Sequence, residues 1–227
     1  MSLSDSRGAA VHLFDVDYTL IRKSSTYYFL RDALREKFIR LGDLGSLPIE
    51  WLRYKFGIIH GDFIETATRK LAGFRKEDLE RTARICFERS LRANIYREAF
   101  ELIQELRRQG KRALFVSSAY HSLLEPLEEY FGVEGSLASA LEFAGGKTTG
   151  RALGAVLFGP NKKQAALEWL AGQGIPPEEV WFYSDSYTDL PLLESCGHPV
   201  AVNPDRFLAR EARRRGWEIR RWKETLG

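Results

Sequence analysis

Two aspartates one residue apart, Asp15 and Asp17, close a short apolar run, Val11-His12-Leu13-Phe14, and Thr19 follows at the next alternate position. Carboxylates this close repel each other, so a cation, a shared proton or a division of roles is expected. Further groups suited to the same chemistry lie far along the chain. Ser117 and Ser118 follow the apolar run Ala113–Val116, Lys162 and Lys163 are adjacent, and Asp185 and Asp189 sit in Ser184-Asp185-Ser186-Tyr187-Thr188-Asp189. Asp15 and Asp185 offer the hard oxygens that Mg²⁺ prefers, one or two carboxylates beside substrate oxygens and water. Ser117 and backbone N–H groups at a helix N-terminus suit a phosphoryl oxygen, and a lysine offsets the charge that gathers there. A carboxylate attacking phosphorus gives an aspartyl-phosphate; its neighbour can protonate the leaving oxygen and then deprotonate the water that opens the intermediate.

The elements that must position these groups can be read from periodicity. The run before Asp15 is nearly all apolar, which predicts a buried strand of a parallel sheet, and in such sheets ligands bind beyond the carboxyl ends of the strands. Ser25 is expected to cap a helix carrying Tyr27, Leu30, Leu34, Phe38 and Leu41 and ending at Gly42. Further helices are expected from Pro48 to Gly57, from Asp62 to Gly73 and from about Lys76 through Leu91, with no strand in 24–95. From Tyr96 strands and helices alternate. A helix ends at Gly110, strand Ala113–Val116 delivers Ser117, and 121–131 is helical. Leu137–Phe143 and Thr148–Arg151 flank Gly145-Gly146 as a hairpin. A helix over 162–171, strands at Val180–Tyr183 and Val200–Val202, a helix through Arg215 and a last strand near Trp217–Trp222 complete the pattern. Such alternation predicts an α/β fold: a doubly wound, Rossmann-like parallel sheet formed by 9–23 and 96–227, with an all-helical cap over 24–95 inserted after the first strand. Residues 1–8 enter no element.

The chain of 227 residues is 44% hydrophobic and 29% charged, enough to bury a sizeable core. Its 34 basic and 31 acidic residues leave a net charge of +3, which argues against a nucleic-acid or membrane-surface partner. The clusters Arg213-Arg214-Arg215 and Arg220-Arg221 read as solvated faces. Cys86 and Cys196 are far apart and form no metal spacing, so a reduced, cytoplasmic protein is expected. No stretch is apolar enough to span a bilayer, and no signal-type N-terminus is present. His12, His60, His121 and His198 show no metal spacing; Tyr27, Tyr28, Trp51 and Tyr54 are expected mainly in the cap's core.

Phe14-Asp15-Val16-Asp17-Tyr18-Thr19-Leu20, the strand ending in Ser117, Lys163 four residues before Leu167, and Ser184-Asp185-Ser186-Tyr187-Thr188-Asp189-Leu190-Pro191 resemble the four motifs of the haloacid dehalogenase superfamily. The resemblance covers most of 10–222 and is greatest to the phosphoserine-phosphatase-like branch, whose helical cap lies between the first two motifs. It implies a Mg²⁺-dependent phosphomonoesterase acting on a small phosphorylated metabolite. Asp15 would be the nucleophile, and Asp17 the general acid/base that also offers its backbone carbonyl to the metal. Thr19 would orient Asp17 or the loop, and is counted with Ser117, Ser118 and Lys163 among the phosphate-binding residues. Asp185 would complete the metal set of Asp15, Asp17 and Asp185, with Asp189 and Thr188 in support. Lys163 is preferred over Lys162 because the family's lysine precedes a core leucine by four positions. Three departures stand out. Arg22-Lys23-Ser24-Ser25 replaces a region where phosphoserine phosphatases carry a glutamate for the substrate's amine. Ser118 stands where a glycine often follows the serine, and Thr188 where an asparagine often touches phosphate. Rival readings are a phosphotransferase or phosphomutase with the same intermediate, and a non-catalytic module that binds a phosphorylated ligand. A monomer and a homodimer fit equally well.

Overall fold

A computed structural model describes residues 10–39 and 68–227. In chain order they form β1 (Val11–Phe14), α1 (Ser25–Arg35), α2 (Lys76–Cys86), α3 (Arg97–Arg108), β2 (Arg112–Tyr120), α4 (His121–Phe131), β3 (Ser136–Ser139), β4 (Leu141–Ala144) and β5 (Lys147–Ala152). Then come α5 (Pro160–Gln173), β6 (Val180–Ser184), α6 (Leu190–Leu193), β7 (His198–Val202), α7 (Arg206–Arg215) and β8 (Glu218–Arg220). Six strands make one sheet in the order β3-β2-β1-β6-β7-β8, and every neighbouring pair is parallel. This is the doubly wound, Rossmann-like arrangement that the alternation predicts.

Central β1 is buried on both faces, which is why its sequence does not alternate. Val11 and Leu13 pack on one side with Ala166 and Leu170 of α5, Leu192 and Leu193 of α6 and Leu208 and Ala212 of α7. Phe14 faces the other side, in a cluster with Ile103 of α3, Leu124 and Leu127 of α4, and Tyr28, Phe29, Leu79 and Ala83 of α1 and α2. The helices that follow β1 therefore share a core with the sheet. His12, also on β1, is buried in a stack against Trp181, whose ring lies 3.7 Å from that of His198.

Several local readings differ from the structure. Ser24, not Ser25, caps α1: its side chain accepts from Tyr27 N–H. β2 extends beyond Val116 to Tyr120, carrying Ser117 and Ser118 inside the strand, with a register shift between Ser117 and Tyr120. The expected hairpin divides, because Ser136–Ser139 pairs with β2 as the sheet's edge while only β4 and β5 form the antiparallel unit. The alternating polarity of Leu137–Phe143 does not mark that division. The helices expected from Pro48 and Asp62, the stop at Gly42, and Trp51 and Tyr54 fall wholly or mainly outside the described residues. Tyr28 is buried as expected, whereas Tyr27 is 37% exposed.

The chain segments that lead from the sheet to α1 and back from beyond α2 run side by side. Arg22 N–H donates to the Asn94 carbonyl at 3.0 Å and Tyr96 N–H to the Leu20 carbonyl at 2.9 Å. Residues 224–226 add to this ribbon, with Arg97 N–H on the Glu224 carbonyl (2.9 Å) and Leu226 N–H on the Ile95 carbonyl (3.0 Å).

Candidate active site

Register brings the distant polar groups to one edge. Phe14 pairs with Phe115 on β2 and with Tyr183 on β6, so Asp15 and Asp185, just past the ends of β1 and β6, and Ser117 within β2 lie at similar height on neighbouring strands. Asp15 N–H donates to the Tyr183 carbonyl at 2.9 Å, which continues the ladder to Asp15.

The Asp15 carboxylate is held from two sides. Its Oδ1 accepts from Lys162 Nζ at 2.7 Å, and its Oδ2 from the Thr19 hydroxyl at 3.0 Å. Lys162 also reaches Asp189 Oδ2 at 2.7 Å, and that oxygen accepts from the Ser184 hydroxyl at 2.7 Å. Thr19 Oγ1 lies 3.2 Å from Asp185 Oδ1 and accepts from Asp185 N–H at 3.0 Å. One buried hydroxyl thus joins the two carboxylates that β1 and β6 bring together.

Two expectations need correction. The lysine that meets Asp15 is Lys162, not Lys163. The buried stripe of α5 is Lys162, Ala166 and Leu170, spaced by four along one face, whereas Lys163 and Leu167 lie one position round the helix and are half-buried. A lysine four residues before the small, fully buried Ala166 was the available signal. Thr19 is fully buried and its hydroxyl serves Asp15 and Asp185, so it orients these two rather than Asp17 or a phosphate.

Asp17 points elsewhere. Its Oδ1 accepts from Ser25 N–H at 2.8 Å, at the first turn of α1, where the helix dipole favours a negative charge. Ser117 is fully buried and accepts from Ala119 N–H at 3.2 Å, while Ser118 is half-buried and lends its carbonyl to Ser139. The Thr188 hydroxyl lies 2.9 Å from Ser186 Oγ, beside the Asp185 turn. In the departing segment Arg22 is exposed, and Lys23 Nζ lies 4.5 Å above the Tyr27 ring. Sequence reasoning missed the contacts of Ser184 with Asp189 and of Ser25 N–H with Asp17; a serine directly before Asp185, at a strand end, was the only hint of the first.

Electrostatics follow from burial. Desolvation raises Asp15 and Asp185 above the ordinary carboxylate range; Lys162 offsets part of this at Asp15, and Asp15 and Asp189 push Asp185 higher. Burial raises Asp17 too, against the hydrogen bond from Ser25. Burial opposes the charge on Lys162, but Asp15 and Asp189 more than offset it and hold the ammonium above the usual lysine range. Among the described residues no group of three or more His, Cys, Asp or Glu side chains is arranged to hold a metal ion. Among them, too, no helix is long and apolar enough to cross a membrane.

Comparison with known proteins points to one family. The sequence profile of the haloacid dehalogenase-like hydrolases matches residues 12–194. A phosphoserine phosphatase of Mycobacterium tuberculosis is 30% identical over 216 residues, covering 93% of this chain and 70% of that protein. A histidinol-phosphatase of Neisseria meningitidis is 29% identical over 217 residues, covering 93% of this chain and 98% of the relative. A substrate-bound phosphoserine phosphatase superposes with a TM-score of 0.72 at 20% identity, over 97% of this chain and 96% of that one, which shows the shared fold. The chain belongs to the haloacid dehalogenase-like hydrolase family, in its phosphoserine-phosphatase-like branch, and is a phosphoric monoester hydrolase.

Proposed function

We propose that this phosphatase hydrolyses a small phosphorylated metabolite through an aspartyl-phosphate on Asp15, with Mg²⁺ as cofactor. The observation that carries the reading is the placement of Asp15: one carboxylate oxygen on Lys162 and the other on the hydroxyl that also meets Asp185. Both relatives are named as phosphatases of small phosphomonoesters, which supports water as the acceptor over an alcohol and turnover over simple binding. A cytoplasmic setting accords with two cysteines that are both free and buried.

The donor set fits a divalent cation. Asp15 and Asp185 share one hydroxyl, and Asp17 and Asp189 bring the site to four carboxyl groups, against which the described residues set the ammonium of Lys162. Ionising Asp15 and Asp185 together buries negative charge that a cation would relieve, and two carboxylates with a backbone carbonyl at Asp17 match what Mg²⁺ takes from a protein. When bound, Mg²⁺ would lower the repulsion between these carboxylates and the phosphate dianion.

In the first step an oxygen of Asp15 bonds to phosphorus as the ester oxygen leaves. Asp17, raised by burial, gives that oxygen its proton. Lys162 keeps Asp15 aimed and offsets charge on the equatorial oxygens, while Ser117 is the hydroxyl offered to one of them. In the second step Asp17 takes a proton from water, the water oxygen bonds to phosphorus, and Asp15 is released with inorganic phosphate. Asp15→Asn tests this: hydrolysis of p-nitrophenyl phosphate should fall by at least about a thousandfold in a protein of unchanged circular dichroism. Unchanged turnover removes Asp15 as nucleophile.

A further inference from the structure

Asp185 is pinned through its backbone on both sides. Its N–H donates to Thr19 Oγ1 at 3.0 Å, and its carbonyl accepts from Asp205 N–H at 2.8 Å. Asp205 then reaches the same turn a second time, since its Oδ2 accepts from Tyr187 N–H at 2.7 Å. The other oxygen, Oδ1, caps α7 by accepting from Phe207 N–H (2.8 Å) and Leu208 N–H (2.9 Å). One oxygen is enough to cap a helix. The second spans two loops.

The anchor itself is stiff. β7 ends at Val202 and is followed by Asn203, whose φ of 44° is a left-handed conformation that asparagine tolerates better than most residues. Asn203 N–H donates to the Arg220 carbonyl at 2.9 Å, and its side-chain oxygen accepts from Trp222 N–H at 3.0 Å. Buried Pro204 fixes the next φ. Asp205 therefore leaves β7 in one direction, toward the Asp185 turn.

We infer that Asp205 is a positioning residue: by clamping residues 185–187 to the first turn of α7, it sets how tightly Asp185 binds a divalent cation. The inference rests on the reading of Asp185 as a Mg²⁺ ligand. Asp205 touches no reacting atom; it acts by keeping a ligand oriented before the metal arrives, and partners of that kind change metal affinity by about ten- to a hundredfold.

The test is calorimetric titration of Mg²⁺ alone into the metal-stripped full chain. Asp205→Asn and Asp205→Ser both retain a side chain that caps α7, but the asparagine has only one acceptor oxygen and the serine is too short to reach Tyr187 as well. Each should bind Mg²⁺ about tenfold more weakly, with kcat at saturating Mg²⁺ largely kept. Ala212→Gly, inside α7, should lower the melting midpoint without changing Mg²⁺ affinity. Wild-type affinity in both Asp205 variants overturns the inference, and so does an equal loss in Ala212→Gly. Asp185→Asn separates the two readings: if it binds Mg²⁺ as tightly as the unsubstituted chain, the ligand assignment fails; if it loses Mg²⁺ while the Asp205 variants do not, only the role of Asp205 fails. Should the variants not fold, amide exchange in the unsubstituted chain decides. Mg²⁺ must slow exchange at Tyr187 and Asp205, and no slowing there overturns the clamp.

Discussion

Lys162 lies 2.7 Å from both Asp15 and Asp189, and Arg84 of α2 lies 2.8 and 2.9 Å from the two oxygens of Glu129 on α4. The lengths are nearly equal. The surroundings are not: the Lys162 side chain is 4% exposed, while Arg84 and Glu129 are 52% and 57% exposed. Water and salt screen the surface pair, so its bidentate geometry adds little to stability. The buried network is different in kind. Desolvating three charges offsets much of their attraction, so the network is a poor way to stabilise a fold and a good way to fix the direction of a carboxylate. Equal distances thus carry different meanings, and burial decides which.

Lysine substitutions sharpen that contrast most. Lys162→Met should reduce phosphate-ester turnover by at least about a hundredfold, since it removes a preorganised charge at the reacting centre. It should also destabilise the fold by roughly 3–5 kcal/mol, the usual effect of leaving buried charges unpaired. Lys163→Met, one position round α5, should leave turnover near that of the unsubstituted chain. Loss of activity in the Lys163 variant with retention in the Lys162 variant would reverse the assignment.

A smaller effect follows from the raised carboxyl groups. A carboxyl whose folded pKa exceeds its unfolded value binds an extra proton in the folded state, so its contribution to stability declines as pH rises through that window. For Asp15 the window runs from the ordinary carboxylate range to about 7, and Asp185 shifts the same way. Mg²⁺ binds the ionised forms and relieves the strain. The Mg²⁺-induced rise in melting midpoint should therefore be larger at pH 8 than at pH 5. His12, lowered to about 4 chiefly by burial, acts in the opposite direction, but equally with and without metal, so the difference isolates the site. A larger rise at pH 5 contradicts the electrostatic account. Smallest of all, Arg84→Ala and Glu129→Ala should leave turnover unaltered and the melting midpoint nearly unmoved in physiological salt.

The sheet and the polar groups gathered at its edge were legible because burial leaves a mark on composition. The nearly unbroken apolar run of β1, the aspartate that ends it and Ser184-Asp185 at the end of β6 are local signals, and parallel register alone then brings them together. Lys162 was not legible in the same way. Adjacent lysines differ by about 100° round a helix, and the choice turned on whether Ala166 or Leu167 faced the sheet. A large leucine looks more like core than a small alanine does, yet the close approach of α5 to the sheet selects the alanine. The Thr19 bridge and the Asp205 clamp were beyond reach for another reason. Each joins residues more than fifteen positions apart, through a side chain whose local role, in a turn or as a helix cap, already accounts for its presence.

The central claim is that Asp15 takes the phosphoryl group while Lys162 holds it in place. Acid quench of a single turnover in Mg²⁺, followed by mass spectrometry of the peptide containing Asp15, measures this directly. A transient phosphoryl group on Asp15, absent in Asp15→Asn, is the result expected. Full release of phosphate with no labelled peptide, or with the label on another residue, would contradict it.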